Sequence, residues 1–240
     1  MQQTQFENAV IVGASGGFGR ALLNAVAERG VAQIHALSRS KIDDIPDHTL
    51  TGEIDILDEA SIAAAANHVA KSGAPDLVIV TTGLLHRDGL QPEKSFRHLS
   101  SAALAEYFAV NTIGPALIAK HFLPLLPRDR RAVFACLSAR VGSISDNRLG
   151  GWYGYRASKA ALNMLVKTLA IELSRTRPEA ICVALHPGTV DTPLSAPFQR
   201  NAADLVSPRQ AADNLLDVIE NLTPQQSGGI FAWDGSPIQP

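Results

Sequence analysis

The sequence predicts an α/β fold, a doubly wound parallel sheet of about seven strands with helices on both faces. Three observations carry that prediction. Short β-branched runs alternate with longer helix-patterned stretches from end to end. The runs are apolar almost throughout, as expected of strands covered on both faces. A chain of 240 residues that is 46% hydrophobic can bury one substantial core, so a single domain spanning 1–240 is expected.

The predicted strands are "NAVIVGA" (8–14), "QIHALSR" (33–39), "DLVIVTT" (76–82), "RAVFACLS" (131–138), "AICVALHP" (180–187) and "GIFAW" (229–233). Helices are predicted near 17–29, 58–72, 99–124, 153–175 and 208–221. Crossovers of this length imply βαβ units, which are overwhelmingly right-handed. Gly73 to Pro75 ends one helix before a strand, and Pro124 with Pro127 ends another; neither reads as a domain linker.

Charge argues against some functions. The 21 Lys+Arg and 23 Asp+Glu leave a net of −2, so no broad basic surface exists to neutralise a phosphate backbone, and no nucleic-acid partner is expected. "RDRR" (128–131) reads as a solvated turn. Cys136 and Cys182 lie in strand-like runs and are expected as buried thiols. The start, "MQQTQFENAVIVGASGG", has neither the basic region nor the apolar stretch of a secretory signal. No unbroken apolar run nears the roughly 20 residues that span a bilayer. The expectation is a soluble, cytoplasmic protein with no membrane partner. No metal site is expected, because no two histidines form the close pair typical of zinc.

The first strand runs into "GASGGFGRALLNAVAERG" (13–30), a glycine-rich turn opening a helix. Glycine permits close backbone approach, and a helix N-terminus offers free N–H groups to an anion such as a pyrophosphate. The spacing Gly13-xxx-Gly17-x-Gly19 departs from G-x-G-x-x-G. The second strand ends in Ser38-Arg39-Ser40 with no acid at its tip. A carboxylate there would repel a 2′-phosphate, whereas the Arg39 guanidinium can donate a charged fork to it, so NADP(H) is favoured over NAD(H). Asp55 follows a short apolar run, where it either contacts an adenine amino group or is a helix cap or loop residue.

In "GGWYGYRASKAALNMLVKTLAIEL" (150–173), Tyr155 and Lys159 are one helical turn apart, while Tyr153 is six residues from Lys159 and faces elsewhere. A phenol near its ordinary pKa of about 10 exchanges protons poorly at neutral pH, and a neighbouring ammonium would bring its acid and base forms within reach. Lys159 is therefore expected to tune Tyr155.

"GASGGFG", Asn111 in "VNTIG", Ser138 in "CLSARVGS", Tyr155-xxx-Lys159 and "HPGTVDT" (186–192) stand in the order of the short-chain dehydrogenase/reductase family, which the chain resembles over nearly its whole length. The resemblance implies a Rossmann-type fold and an enzyme interconverting a small-molecule carbonyl and alcohol by hydride transfer with a nicotinamide cofactor. It implies that Tyr155 carries the proton of the substrate oxygen, Ser138 hydrogen-bonds that oxygen, Lys159 also holds the nicotinamide ribose, and Asn111 holds a water-linked relay to Lys159. The implied cofactor set is Gly13, Ser15, Gly17, Phe18, Gly19, Ser38, Arg39, Asp55, Ile56, Thr82, Gly83, Tyr155, Lys159, Pro187, Gly188, Val190 and Thr192. A homo-oligomer, dimer or tetramer, is also implied.

Two departures stand out. Thr81-Thr82-Gly83-Leu84 replaces the family's usual Asn-Asn-Ala-Gly, and Val12 precedes Gly13 where Thr is frequent; both bear on local bracing. The tail "SGGIFAWDGSPIQP" (227–240) resembles the C-factor-like and sniffer-like branch, which holds carbonyl reductases and a developmental signalling protein. A second reading follows, a signalling or regulatory protein that binds NAD(P)(H) with little turnover. Segments 83–96, 140–152 and 188–207 are expected around the substrate, the last as a lid presenting Leu194, Phe198 and Leu205 from beneath. Trp152 either lines the pocket or anchors its helix, and His186 either packs at a strand end or touches ligand.

Overall fold

A computed structural model describes residues 6–201 and 205–240. Its elements in chain order are β1 (Asn8–Val12), α1 (Gly17–Glu28), β2 (Gln33–Ser38), β3 (Thr49–Glu53), α2 (Glu59–Ala70), β4 (Leu77–Val80), α3 (Ser101–Phe108), α4 (Gly114–Phe122), β5 (Ala132–Leu137), α5 (Tyr153–Leu173), β6 (Ala180–His186), β7 (Thr189–Val190), β8 (Leu205–Val206), α6 (Pro208–Asn221) and β9 (Ile230–Ala232). The main sheet is seven-stranded in the order β3-β2-β1-β4-β5-β6-β9, and every neighbouring pair is parallel. It forms one Rossmann-like domain.

Alternation along each strand sorts the core into two layers. Val10 and Val12 of β1, Val78 and Val80 of β4, and Phe134 and Cys136 of β5 pack with α2, α4 and α5. Their sequence neighbours Ala9, Ile11, Leu77, Ile79, Val133 and Ala135 pack with α1 and α6 on the other face. Each Leu, Ile or Val buried this way contributes about 1.5–3 kcal/mol. Cys136 and Cys182 are both free and buried, as expected.

Several local readings change. β3 was not among the expected strands, because "TLTGE" is a partly exposed edge segment without an apolar run. The expected helix over 99–124 is broken by a π turn over Ala109–Ile113. Pro115 has no N–H to donate to the Asn111 carbonyl, so α geometry cannot close there. Ser101–Leu125 is nevertheless long and apolar enough, by length and composition, to cross a membrane, contrary to expectation. Glu106, Asn111 and Lys120 interrupt it, and its Tyr107, Ile118, Ala119 and Phe122 are buried in the fold. Arg131 is not a merely solvated turn residue: its Nη2 donates to the carbonyls of Ile219, Glu220 and Leu222, matching a cation to the C-terminal end of α6.

Candidate active site

Two adjoining clefts open at the carboxyl ends of the strands. The first, of about 770 Å³, is lined by Gly13, Ser15, Gly17, Phe18, Gly19, Ser38, Arg39, Asp55 and Ile56. The second, of about 640 Å³, is lined by Ser138, Tyr155, Lys159, Pro187, Gly188 and Val190. Phe18, Thr82, Gly83 and Thr192 border both, so the two form one trough. Of the expected catalytic and cofactor-binding residues, all but Asn111 line one cleft or the other.

The glycine turn is shaped for close approach. Gly13 sits at φ +89°, and a Cβ there would lie 2.6 Å from Thr81 Oγ1. A Cβ on Gly19 would collide with the Gly13 carbonyl and lie 2.9 Å from the same hydroxyl. Thr81 Oγ1 itself donates to the Val12 carbonyl at 2.7 Å, so this hydroxyl braces β4 against β1 and answers the question raised by the departure at Thr81. Helix α1 begins after Gly16 with no side-chain cap and no acid in its first turn. Its free N–H groups are therefore available to an anion. Arg39 is exposed at the tip of β2, and Asp55 Oδ1 accepts from the Leu57 N–H at 3.0 Å. This arrangement fits a dinucleotide.

At the other end, Tyr155 is 8% exposed and Tyr153 37%, and only Tyr155 lines the cleft. Helix α5 has no side-chain cap of its own at Trp152; the buried Glu93 carboxylate caps it, accepting from the Gly154 N–H at 3.1 Å. Trp152, at φ +54°, both starts the helix and walls the cleft, with its ring 6.2 Å from Tyr155 and 5.0 Å from Phe198. Both alternatives for Trp152 are thus true.

The expectation that Lys159 lowers the Tyr155 pKa is not met in this arrangement. Burial, then the Tyr107 phenol, pushes Tyr155 above its ordinary value. Lys159 Nζ lies 5.9 Å from the Tyr155 ring centre and donates to the Leu137 carbonyl at 2.9 Å. Burial holds Lys159 down to about 8. Asn111 is fully buried, but its carboxamide is engaged elsewhere: Oδ1 accepts from Leu84 N–H at 2.8 Å, and Nδ2 donates to the Leu84 carbonyl at 2.9 Å and Ser158 Oγ at 3.1 Å. Its side chain holds the β4 loop rather than Lys159.

His186 lines the substrate cleft and is held down to about 4 by burial and then by Arg140, so it is neutral at pH 7. Leu194 and Phe198 line the cleft as expected, but Leu205, paired with Thr189 in a short ribbon, does not. Residues 202–204 of that segment lie outside the described residues, as do residues 1–5 of the leader reading. Sequence reasoning missed Asn163, whose Oδ1 accepts from Ser138 Oγ at 2.7 Å. Its signal was available: Tyr155, Lys159 and Asn163 recur every fourth residue on one helical stripe.

Fold and trough together define an α/β dinucleotide-binding architecture with its ligand site at the strand ends. The chain matches the short chain dehydrogenase family over residues 7–203 and belongs to it; it is an oxidoreductase of that family. It is 30% identical to 1-hydroxy-2-glutathionyl-2-methyl-3-butene dehydrogenase of Rhodococcus sp. (strain AD45), covering 96% of this chain and 98% of that protein. It is 37% identical to C-signal of Myxococcus xanthus over 57% of this chain and 78% of that protein. The NADPH-bound carbonyl reductase from chicken fatty liver superposes with a TM-score of 0.85 at 24% identity, covering 97% of this chain and 98% of that one.

Proposed function

We propose that the protein is an NADP(H)-dependent oxidoreductase interconverting a carbonyl and an alcohol. The observation carrying this reading is the convergence of Ser138, Tyr155 and Lys159 on a cleft continuous with the glycine-rich trough. Gly13, Ser15, Gly17, Phe18 and Gly19 would hold the pyrophosphate, Ser38 and Arg39 the 2′-phosphate, and Asp55 and Ile56 the adenine. Thr82, Gly83, Pro187, Gly188, Val190 and Thr192 would border the nicotinamide half, with Lys159 and Tyr155 on its ribose. When bound, the cofactor supplies or accepts the hydride at the substrate carbon. The NADPH named for the chicken reductase supports this cofactor class, and the exposed Arg39 supports its 2′-phosphate.

Tyr155 would deliver its proton to the substrate oxygen as that oxygen gains charge. Burial keeps the phenol protonated at neutral pH, which suits donation to a carbonyl. Ser138 would hydrogen-bond the same oxygen. Lys159 would steady the phenolate left behind and help return its proton through a water at Asn111, whose main-chain carbonyl has lost its α-helical donor at Pro115. The 188–207 segment would act as the substrate lid, with Phe198 against Trp152. The substrate is a small molecule, the working assembly a dimer or tetramer, and the compartment the cytoplasm.

The likeness to C-signal supports a second reading, in which cofactor binding is regulatory and turnover incidental. A buried Tyr-Lys pair has no use in a binding module, which favours catalysis. NADPH oxidation against a panel of aldehydes and ketones, with Tyr155→Phe as control, separates the two. Tight NADPH binding without Tyr155-dependent turnover would select the second.

A further inference from the structure

Ser138 owns one proton, and the structure places it where the proposed chemistry cannot use it. Ser138 Oγ donates to Asn163 Oδ1 at 2.7 Å, leaving only lone pairs toward the cleft. A carbonyl oxygen gaining charge needs donors, and lone pairs aimed at it repel. Meanwhile Asn163 is 7% exposed, and its Nδ2 has no hydrogen-bond partner. A buried orphaned amide N–H is costly and calls for an explanation.

One motion frees the serine proton and gives Nδ2 a partner. The two ends of a carboxamide have nearly the same shape, so a half-turn about the Cβ–Cγ axis exchanges them without repacking. Turned, Nδ2 donates to Ser138 Oγ, and the serine proton is released toward the cleft. Gly142 makes room behind the amide: a Cβ there would come within 3.1 Å of Nδ2. We propose that Asn163 is a positioning residue whose amide sets the direction of the Ser138 hydroxyl, accepting from it in the arrangement seen here and donating to it when a substrate oxygen must be bound. The proposal rests on the role given to Ser138 above.

Asn163→Asp is the discriminating variant. A carboxylate of the same shape can only accept, so it pins the serine proton; protonated, it regains a donor. The ionisable groups nearby are Lys159, one turn away on α5, Cys136 of β5 beside it, and Tyr155, His186, Arg140, Asp146, Arg148 and Arg156 in the same cleft; they are common to all variants, so the comparison is between variants. Expected for Asn163→Asp at pH 8 is a fall in kcat of about 100-fold, the size of losing one oxyanion donor, with NADPH affinity unchanged. The deficit relative to wild type should shrink as pH falls, whereas Asn163→Ala should show a smaller loss that is flat in pH. A pH-independent deficit in Asn163→Asp overturns the proposal. If that variant does not fold, a cycle with Ser138→Ala decides: Asn163→Ala should cost about 10-fold in kcat alone and almost nothing when Ser138 is already Ala. Equal losses in both backgrounds overturn it. Full activity in Ser138→Ala would instead remove the role of Ser138 itself, a distinguishable failure.

Discussion

Lys159 Nζ lies 5.9 Å from the centre of the Tyr155 ring and donates to the Leu137 carbonyl at 2.9 Å. The two side chains are neighbours on one helix face, yet the ammonium is moored to the end of β5. Tyr155 accordingly feels its burial more than its neighbour's charge.

Tyr155→Phe keeps the ring and its packing and deletes only the oxygen. Turnover should fall by roughly 10²–10⁴-fold, the range for losing a general acid, with NADPH still bound and Tm nearly unchanged. Tyr153→Phe, altering a half-exposed ring outside the cleft, should keep most activity. Steady-state kinetics and fluorescence titration check both, and similar losses in the two variants would refute the assignment of Tyr155.

Burial of Lys159 predicts a pH signature in stability. Its pKa falls from 10.5 unfolded to about 8 folded. Between those values the unfolded chain carries the proton and the folded one does not, so stability rises with pH across that window. Below pH 8 both forms are protonated, and the cost of burying the charge is constant. Lys159→Met should be inactive, more stable than wild type at pH 7 by on the order of 1–3 kcal/mol, and without that rise. Denaturant midpoints of both proteins from pH 7 to 10.5 test it; parallel curves would contradict it.

Arg39→Ala tests the cofactor reading. Losing a charged hydrogen-bond donor to phosphate should weaken NADPH about 10- to 100-fold, while NADH changes little. Isothermal titration with both nucleotides measures the contrast. Equal weakening would mean that Arg39 does not read the 2′-phosphate.

Gly13→Ala should lower stability by roughly 1–3 kcal/mol through its positive φ and its clash. The nearest obstacle is Thr81 Oγ1 at 2.6 Å, so Thr81→Ala should recover part of the loss. Thermal unfolding of the four proteins in this cycle shows whether that hydroxyl and the glycine turn are coupled.

How legible all this was depends on what each feature needs. β1, β4 and β5 were readable because strands buried on both faces must be apolar at every position. β3 was not, since "TLTGE" at an exposed edge carries no such demand. Tyr155 could be chosen over Tyr153 from helical geometry alone, because the choice turns on local spacing. The electrostatics of the Tyr-Lys pair could not be read, since they depend on depth of burial and on a carbonyl of β5 brought near by tertiary packing. Asn163 lay in plain view on the same stripe, but its partner Ser138 sits 25 residues away in sequence. Only the fold joins them.

The small ribbon of β7 and β8 ties Thr189–Val190 to Leu205–Val206, clasping at its base the segment whose Leu194 and Phe198 line the cleft. One end continues from His186 and the other enters α6, both parts of the rigid body. Changes in the length of the tip therefore alter a closed loop, whose entropy varies only logarithmically with length. Insertions and deletions there should reshape which substrates enter while leaving the sheet undisturbed. The clasp makes this segment the natural place for the scaffold to diversify, in evolution or in a designed library.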